Sequence, residues 1–239
     1  MKKTTVAFLV TALTSGMVSA SEWGYKGDHG PEHWGEFASE CAVGKNQSPI
    51  NIESGVEAKL SKLHVDYKGN VVGLMNNGHT LQAVVDGKNT FTIDGKEFKL
   101  AQFHFHTPSE NLIKDKQYPL EAHFVNADKD GNLAVLAVMF ETGKVSAELD
   151  KLTEIMPNKD QTVTLKSSFA VKDLLPETGE YYRFNGSLTT PPCSEGVRWF
   201  VLKDAQSLTS EQQQQLVNVM GQNNRPVQAK NARIVLVND

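Results

Sequence analysis

The chain has 239 residues, 39% hydrophobic and 22% charged, with 24 basic and 28 acidic side chains and a formal net charge of −4. Mixed charge without a basic face argues against a nucleic-acid protein, and the even, moderately apolar composition argues against disorder. No run reaches the roughly 18 apolar residues needed to span a membrane as a helix. The chain then opens on a basic head, Met1-Lys2-Lys3, followed by an apolar run from Val6 to Val18 and small residues at Val18-Ser19-Ala20. That layout predicts a secretory signal peptide over residues 1–20, cleaved after Ala20, with a mature domain over 21–239. Its removal takes Lys2 and Lys3 and no acid, so the exported chain is more acidic than the precursor.

Export changes how the two cysteines, Cys41 and Cys193, are read. An oxidising compartment permits a bridge between them, which would close a loop of about 150 residues and add on the order of 4–5 kcal/mol by chain entropy. Two separate buried thiols are the other reading. Two cysteines cannot build a thiolate cage, so a metal here needs imidazole or carboxylate ligands. Further along, Leu81–Val85, Thr90–Ile93, Phe98–Phe105, Leu120–Val125 and Leu133–Phe140 read as successive strands, largely antiparallel. Asp86-Gly87, Asp94-Gly95 and Asp130-Gly131 punctuate them as turns, since Asp-Gly accepts positive φ at both positions of a tight hairpin. Helical signal is sparse. Ser146–Met156 puts Leu149, Leu152 and Met156 on one face. Ser210–Met220 follows a capping-box pair, Thr209 and Gln212, and its glutamines Gln212–Gln215 read as a solvated face. With no repeat and no linker-like shift in composition, one β-dominated domain is expected.

Two of these strands carry the chemistry. In Gln102-Phe103-His104-Phe105-His106, alternation puts Gln102, His104 and His106 on one face and both phenylalanines on the other. Leu120-Glu121-Ala122-His123-Phe124-Val125 repeats the device, with Glu121, His123 and Val125 together. If the strands are antiparallel neighbours, His123 lies across from the His104/His106 pair. Three neutral imidazoles without thiolates leave a position open on zinc, as catalytic sites do. Gln102 and Glu121 each stand two residues before a histidine on the same face, placed to accept its second N–H.

The chain also resembles the α-class carbonic anhydrases of the bacterial exported type across essentially all of Ser21–Asp239. The resemblance rests on Trp23-Gly24-Tyr25, Gly30-Pro31-Glu32-His33-Trp34, Gln47-Ser48-Pro49-Ile50-Asn51 and Asn76-Asn77-Gly78-His79. It continues through the two histidine strands to Ser187-Leu188-Thr189-Thr190-Pro191-Pro192-Cys193 and Asn224-Arg225-Pro226. It implies a mainly β domain, built on a large twisted, mostly antiparallel sheet of about ten strands with a few short peripheral helices. By resemblance, His104, His106 and His123 hold one zinc ion, and zinc-bound hydroxide converts carbon dioxide reversibly to bicarbonate and a proton. Thr189 then accepts from the hydroxide while donating to Glu110, because an ionised carboxylate can only accept.

The same likeness makes His79 the proton shuttle to buffer, a task that suits an imidazole. Val125, Val135, Leu188, Thr189, Thr190, Val197 and Trp199 are expected around the substrate, and Tyr25, Asn77 and Gln82 along the polar side of the cleft. The resemblance further implies sulfonamide and anion inhibition at zinc, a homodimer, and a periplasmic address, or an extracellular one in a host without a periplasm. Two rivals remain at this point. A catalytically silent relative normally lacks a ligand histidine, and a three-histidine iron oxygenase of β-barrel fold would not require Thr189, Glu110 and His79 together.

Overall fold

Alternating apolar residues want a sheet with a core on at least one face, and the computed structural model, which describes residues 23–238, is built on one. The leader expected over residues 1–20 lies outside the described residues. The strands begin with β1 (Asn51–Ile52), β2 (Val56–Glu57) and β3 (His64–Tyr67). A denser run follows, with β4 (Asn70–Asn76), β5 (Leu81–Val85), β6 (Asn89–Ile93) and β7 (Lys96–His106). Next come β8 (Leu112–Ile113), β9 (Leu120–Ala127), β10 (Leu133–Thr142), β11 (Gln161–Ala170) and β12 (Tyr181–Ser187). The last three are β13 (Glu195–Leu202), β14 (Gln206–Leu208) and β15 (Leu236–Val237). Helices are few: α1 (Trp34–Phe37), α2 (Glu40–Val43), α3 (Ala147–Thr153) and α4 (Ser210–Met220).

The main sheet runs β11-β4-β5-β7-β9-β10-β13-β12-β15-β2, with β3, β6 and β14 attached beside that path. Pairing is antiparallel except where β10 meets β13 and β14, and where β15 meets β2. The expected mainly β, mostly antiparallel fold is therefore the one observed. Both faces of β9 and β10 are buried, which explains their unbroken apolar stretches. One face carries an aromatic core that includes Phe91, Phe98, Phe103, Phe105, Phe124 and Phe200. The other carries a smaller cluster around Ile50, Val125, Val135, Val197 and Trp199. Among the described residues no helix is long and apolar enough to cross a membrane.

Only one Asp-Gly pair makes the two-residue hairpin expected of all three. Asp94 and Gly95 both have positive φ, 51° and 71°, and join β6 to β7 with Ile93 opposite Lys96. Asp86-Gly87 links strands that do not pair with each other, and its Asp86 carboxylate instead accepts the Asn70 backbone N–H at 2.8 Å. Asp130-Gly131 sits in a longer loop whose Asp128 carboxylate takes the N–H groups of Asp130 and Asn132, both at 2.9 Å. The helices match more closely. Ser146 caps α3 by accepting from Leu149 N, and α4 carries the Thr209–Gln212 capping box. Gln212, however, is buried rather than solvated, because its amide bonds Ser146 O at 2.7 Å and Asp150 Oδ1 at 2.5 Å and so joins α4 to α3.

Cys41 and Cys193 are bridged, with Cα atoms 5.1 Å apart and a sequence separation of 152. A loop of that length corresponds to about 5 kcal/mol of denatured-state entropy. Replacing both cysteines by serine is therefore expected to lower unfolding free energy by roughly that amount in urea titrations. An unchanged midpoint and slope would show that the bridge contributes nothing to stability.

Candidate metal centre

The site begins with strand register. β7 and β9 pair antiparallel with His104 opposite His123, Gln102 opposite Val125 and His106 opposite Glu121. Alternation sends the three imidazoles to one side, while Phe103 and Phe124, stacked at 4.7 Å, fill the core on the other. Ring centroids lie 4.9 Å apart for His104–His106, 5.4 Å for His104–His123 and 4.5 Å for His106–His123. One nitrogen from each ring falls within 4.8 Å of the others.

The remaining nitrogen meets an acceptor at His104 and His106 and stands against a carboxylate, without a hydrogen bond among the described residues, at His123. His104 Nδ1 donates to Gln102 Oε1 at 2.8 Å, and His106 Nδ1 donates to the backbone carbonyl of Asn223 at 2.8 Å. His123 Nε2 faces Glu121 Oε1 at 2.9 Å. A ring whose N–H is committed outward keeps its other lone pair for a ligand. His106 Nε2 is buried and has no hydrogen-bond partner among the described residues. Burial, then the neighbouring imidazoles, push His104 well below the usual histidine range. Burial also lowers His106, against the opposing effects of its Asn223 bond and Glu121. Both rings are thereby held in the neutral form that ligates. An all-imidazole donor set with no thiolate fits zinc with a position left open.

Two buried carboxyls stand behind the rings. Glu121 Oε2 accepts backbone N–H groups from Glu110 at 2.7 Å and Asn111 at 2.9 Å, and its Oε1 accepts Asn111 Nδ2 at 2.7 Å. Burial alone would raise Glu121, but His123 and these donors outweigh it and hold the carboxyl below its ordinary value. Glu110 has fewer donors. Burial pushes it up to about 7, against the pull of His123, the Arg225 N–H and the Thr189 hydroxyl. Arg225 N donates to Glu110 Oε1 at 2.8 Å, and Glu110 Oε2 lies 3.9 Å from His123 Nδ1. A cation among the imidazoles would favour the ionised form of Glu110, so the carboxyl also fits a metal-loaded site.

The walls divide by polarity. Val125, Val135, Val197 and Trp199 are buried in one cluster, with Leu188 packed against it and the Trp199 ring edge-on to His123 at 4.9 Å. Cross-strand pairing stacks Val125 on Val135 and Val135 on Trp199. Thr189 is buried in the turn after β12, which is closed by Leu188 N to Ser194 O at 3.0 Å and Cys193 N to Thr190 O at 2.8 Å. On the polar side a cleft of ≈ 120 Å³ is lined by Tyr25, Asn77, His79, Gln82, His104 and Thr190, among others. Asn77 Oδ1 accepts the N–H groups of His79 and Thr80, at 3.0 and 2.9 Å, and so sets the backbone that carries His79. The Tyr25 hydroxyl is buried without a hydrogen-bond partner among the described residues, and burial followed by the charge of Glu110 raises it well above the usual phenol range.

Of the residues expected at the site, Tyr25, Asn77, His79, Gln82, Gln102, His104, His106 and Thr190 line the cleft, and Val125, Val135, Leu188, Val197 and Trp199 share an apolar cluster that meets His123 through Trp199. Four further contributors were given no role from the sequence, although Trp23 and Arg225 stand in its family motifs. Asn223 accepts from His106 Nδ1 at its carbonyl and from Thr107 N at its Oδ1 at 2.7 Å, and its Nδ2 donates to His79 O at 3.1 Å and Phe105 O at 3.0 Å. Arg225 acts on Glu110 through its backbone, Asn111 satisfies Glu121, and the Trp23 ring stacks on His79 at 3.9 Å and 12°.

Comparison with known proteins agrees with this geometry. The family model described as eukaryotic-type carbonic anhydrase matches residues 29–239. A carbonic anhydrase of Neisseria gonorrhoeae is 45% identical over 239 residues, covering 96% of this chain and 95% of the relative. The solved α-carbonic anhydrase of Photobacterium profundum is 58% identical with a TM-score of 0.88, covering 90% of this chain and 100% of its own. The α-carbonic anhydrase of Thermovibrio ammonificans, solved with the inhibitor sulfanilamide, is 49% identical with a TM-score of 0.87, covering 90% of this chain and 98% of its own. With the family model and full-length relatives in agreement, the chain belongs to the α, or eukaryotic-type, carbonic anhydrase family, enzymes whose general activity is the hydration of carbon dioxide.

Proposed function

We propose that His104, His106 and His123 hold one zinc ion per chain and that His79 carries the product proton to buffer during reversible hydration of carbon dioxide. The observation that carries this reading is the set of three imidazoles with one nitrogen each within 4.8 Å of the others, two of them hydrogen-bonded outward and the third 2.9 Å from the Glu121 carboxylate. Bound there, zinc supplies Lewis acidity that makes water nucleophilic near neutral pH, a chemistry for which carbonic anhydrases are themselves the reference example.

The residues of the chain do the rest. Ionised Glu110 can only accept, so the Thr189 hydroxyl donates to it and turns a lone pair toward the attacking oxygen, which fixes that oxygen's orientation. Carbon dioxide is apolar and rests against Val125, Val135, Leu188, Val197 and Trp199, beside Thr190. The Thr189 backbone N–H is the donor for oxygen charge that develops as bicarbonate forms. Across the cleft, Tyr25, Asn77 and Gln82 border the water path to His79, and His79 lines both this cleft and the outer concavity beyond it. Sulfonamides and small anions compete at the metal, in keeping with the sulfanilamide complex of the Thermovibrio relative. We further propose that residues 21–239 form the mature catalytic domain, exported by the 1–20 leader to the periplasm and paired as a homodimer. The Cys41–Cys193 bridge supports an oxidising compartment.

Stopped-flow hydration on metal-assayed protein tests the reading: rapid turnover with one zinc per chain is expected. A zinc-loaded but inactive protein would favour a silent binding module, and stoichiometric iron an oxygenase. His79→Ala should slow turnover roughly 10-fold or more in dilute buffer and recover with added imidazole. An undiminished rate in dilute buffer would remove His79 from proton transfer. Glu121→Gln and Asn223→Ala are each expected to weaken zinc binding roughly 10- to 100-fold in chelator competition, since each disturbs the support of a ligand ring.

A further inference from the structure

A second concavity of ≈ 380 Å³ adjoins the cleft. Trp23, Tyr25 and His79 line both spaces, but none of the three ligand histidines reaches the outer one. His79 therefore borders both spaces, with the Trp23 ring flat against the imidazole. The outer walls add Lys26, His29, Lys159 and Gln222, and no Asp or Glu. That is a local departure in a chain with 28 acids against 24 bases. Asp28 and Asp160, adjacent in sequence to these cations, are not among the walls. Lys159 is closely placed: a methyl group on Gly78 would stand 2.6 Å from its Cε and 3.3 Å from its Nζ, so its ammonium end lies over the backbone that leads into His79. Gly78 has φ +84°, which admits that close approach without a side chain.

We propose that this vestibule docks a small oxyanion of the hydrogenphosphate kind, which takes the proton from His79. The proposal rests on reading His79 as the shuttle and names the acceptor that shuttle serves. Lys26 and Lys159 attract the anion over a Debye length of about 8–10 Å, and the Gln222 amide offers a donor to a second oxygen. The step is a plain proton transfer. An N–H bond of the His79 imidazolium breaks, an O–H bond forms on hydrogenphosphate to give dihydrogenphosphate, and neutral imidazole is left to accept the next proton. Nothing is oxidised or reduced. A neutral base gains nothing from the two ammonium groups, so the vestibule discriminates between acceptors by charge.

Buffer-dependent stopped-flow hydration on the zinc-loaded protein, with inorganic phosphate against an uncharged imidazole-type base at constant ionic strength, tests this. The Lys26→Ala/Lys159→Ala variant is expected to raise half-saturating phosphate roughly 3- to 10-fold and to leave the value for the neutral base unchanged. In parallel, phosphate titration followed by NMR should shift the His79 ring resonances in the unsubstituted protein and much less in the variant. Equal changes for both buffers, or no phosphate-dependent shift at His79, would overturn the docking site. Absence of hydration in every buffer would instead overturn the enzymatic reading, and the NMR titration would still decide docking by itself.

Discussion

A buried imidazole can offer a lone pair inward only if its other nitrogen is oriented outward, and the rest of this structure follows from placing an oxygen beside that nitrogen three times. The three acceptors differ in kind and origin. Gln102 offers an amide oxygen from the same strand as His104, Asn223 a main-chain carbonyl from beyond α4, and Glu121 a carboxylate from β9. Each acceptor then brings its own demands. Glu121 can remain ionised without solvent only while Glu110 N, Asn111 N and Asn111 Nδ2 all donate to it. That fixes the loop after β7. Asn223 in turn is held through Thr107 N and Phe105 O, so the strand that carries two rings also positions the acceptor of one of them.

The two carboxyls illustrate how environment separates groups of identical chemistry. Glu121, with three donors and an adjacent imidazole, is held low, whereas Glu110, with one backbone donor and an oxygen left over, is pushed up to about 7 by burial. The first is a permanent acceptor for His123. The second is sensitive to the charge placed among the rings, and its hydroxyl neighbour Thr189 shares that sensitivity. A few ångströms away, the same two strands present Val125 and, through β10 and β13, Val135 and Trp199. Polar support and apolar wall are thus close neighbours on adjoining strands.

What could be read from the sequence follows from how local each signal is. The three histidines were legible because period-two alternation on two strands states which side chains share a face, and the observed register, which alternation alone does not fix, sets His104 opposite His123. The Thr209–Gln212 capping box and the Asp94-Gly95 hairpin were legible for the same reason. Asp86-Gly87 misled because a turn dipeptide does not say whether the flanking strands pair with each other. Gln212 misled because its burial depends on Ser146, which lies 66 residues away. Thr189, Glu110 and His79 entered through family resemblance, not through any pattern of their own. Asn223 reaches His106, and Arg225 reaches Glu110, through main-chain atoms that every residue possesses, while the Asn223 amide that anchors this contact bonds residues more than 100 positions away.

Arg225 gives this last point a wider meaning. Its N–H holds Glu110 across 115 residues, while its guanidinium bonds Gln47 Oε1 at 2.9 Å, Ser48 O at 2.8 Å and Cys41 O at 3.1 Å. One residue near the end of the chain thus clasps a segment near its beginning and finishes the centre in the middle. A chain lacking either end could still pair β7 with β9 and bring three rings together, but Glu110 would lose its backbone donor or that donor its anchor. The geometry of Glu110 thus depends on contacts between two segments, 41–48 and 225, that are far apart in the chain.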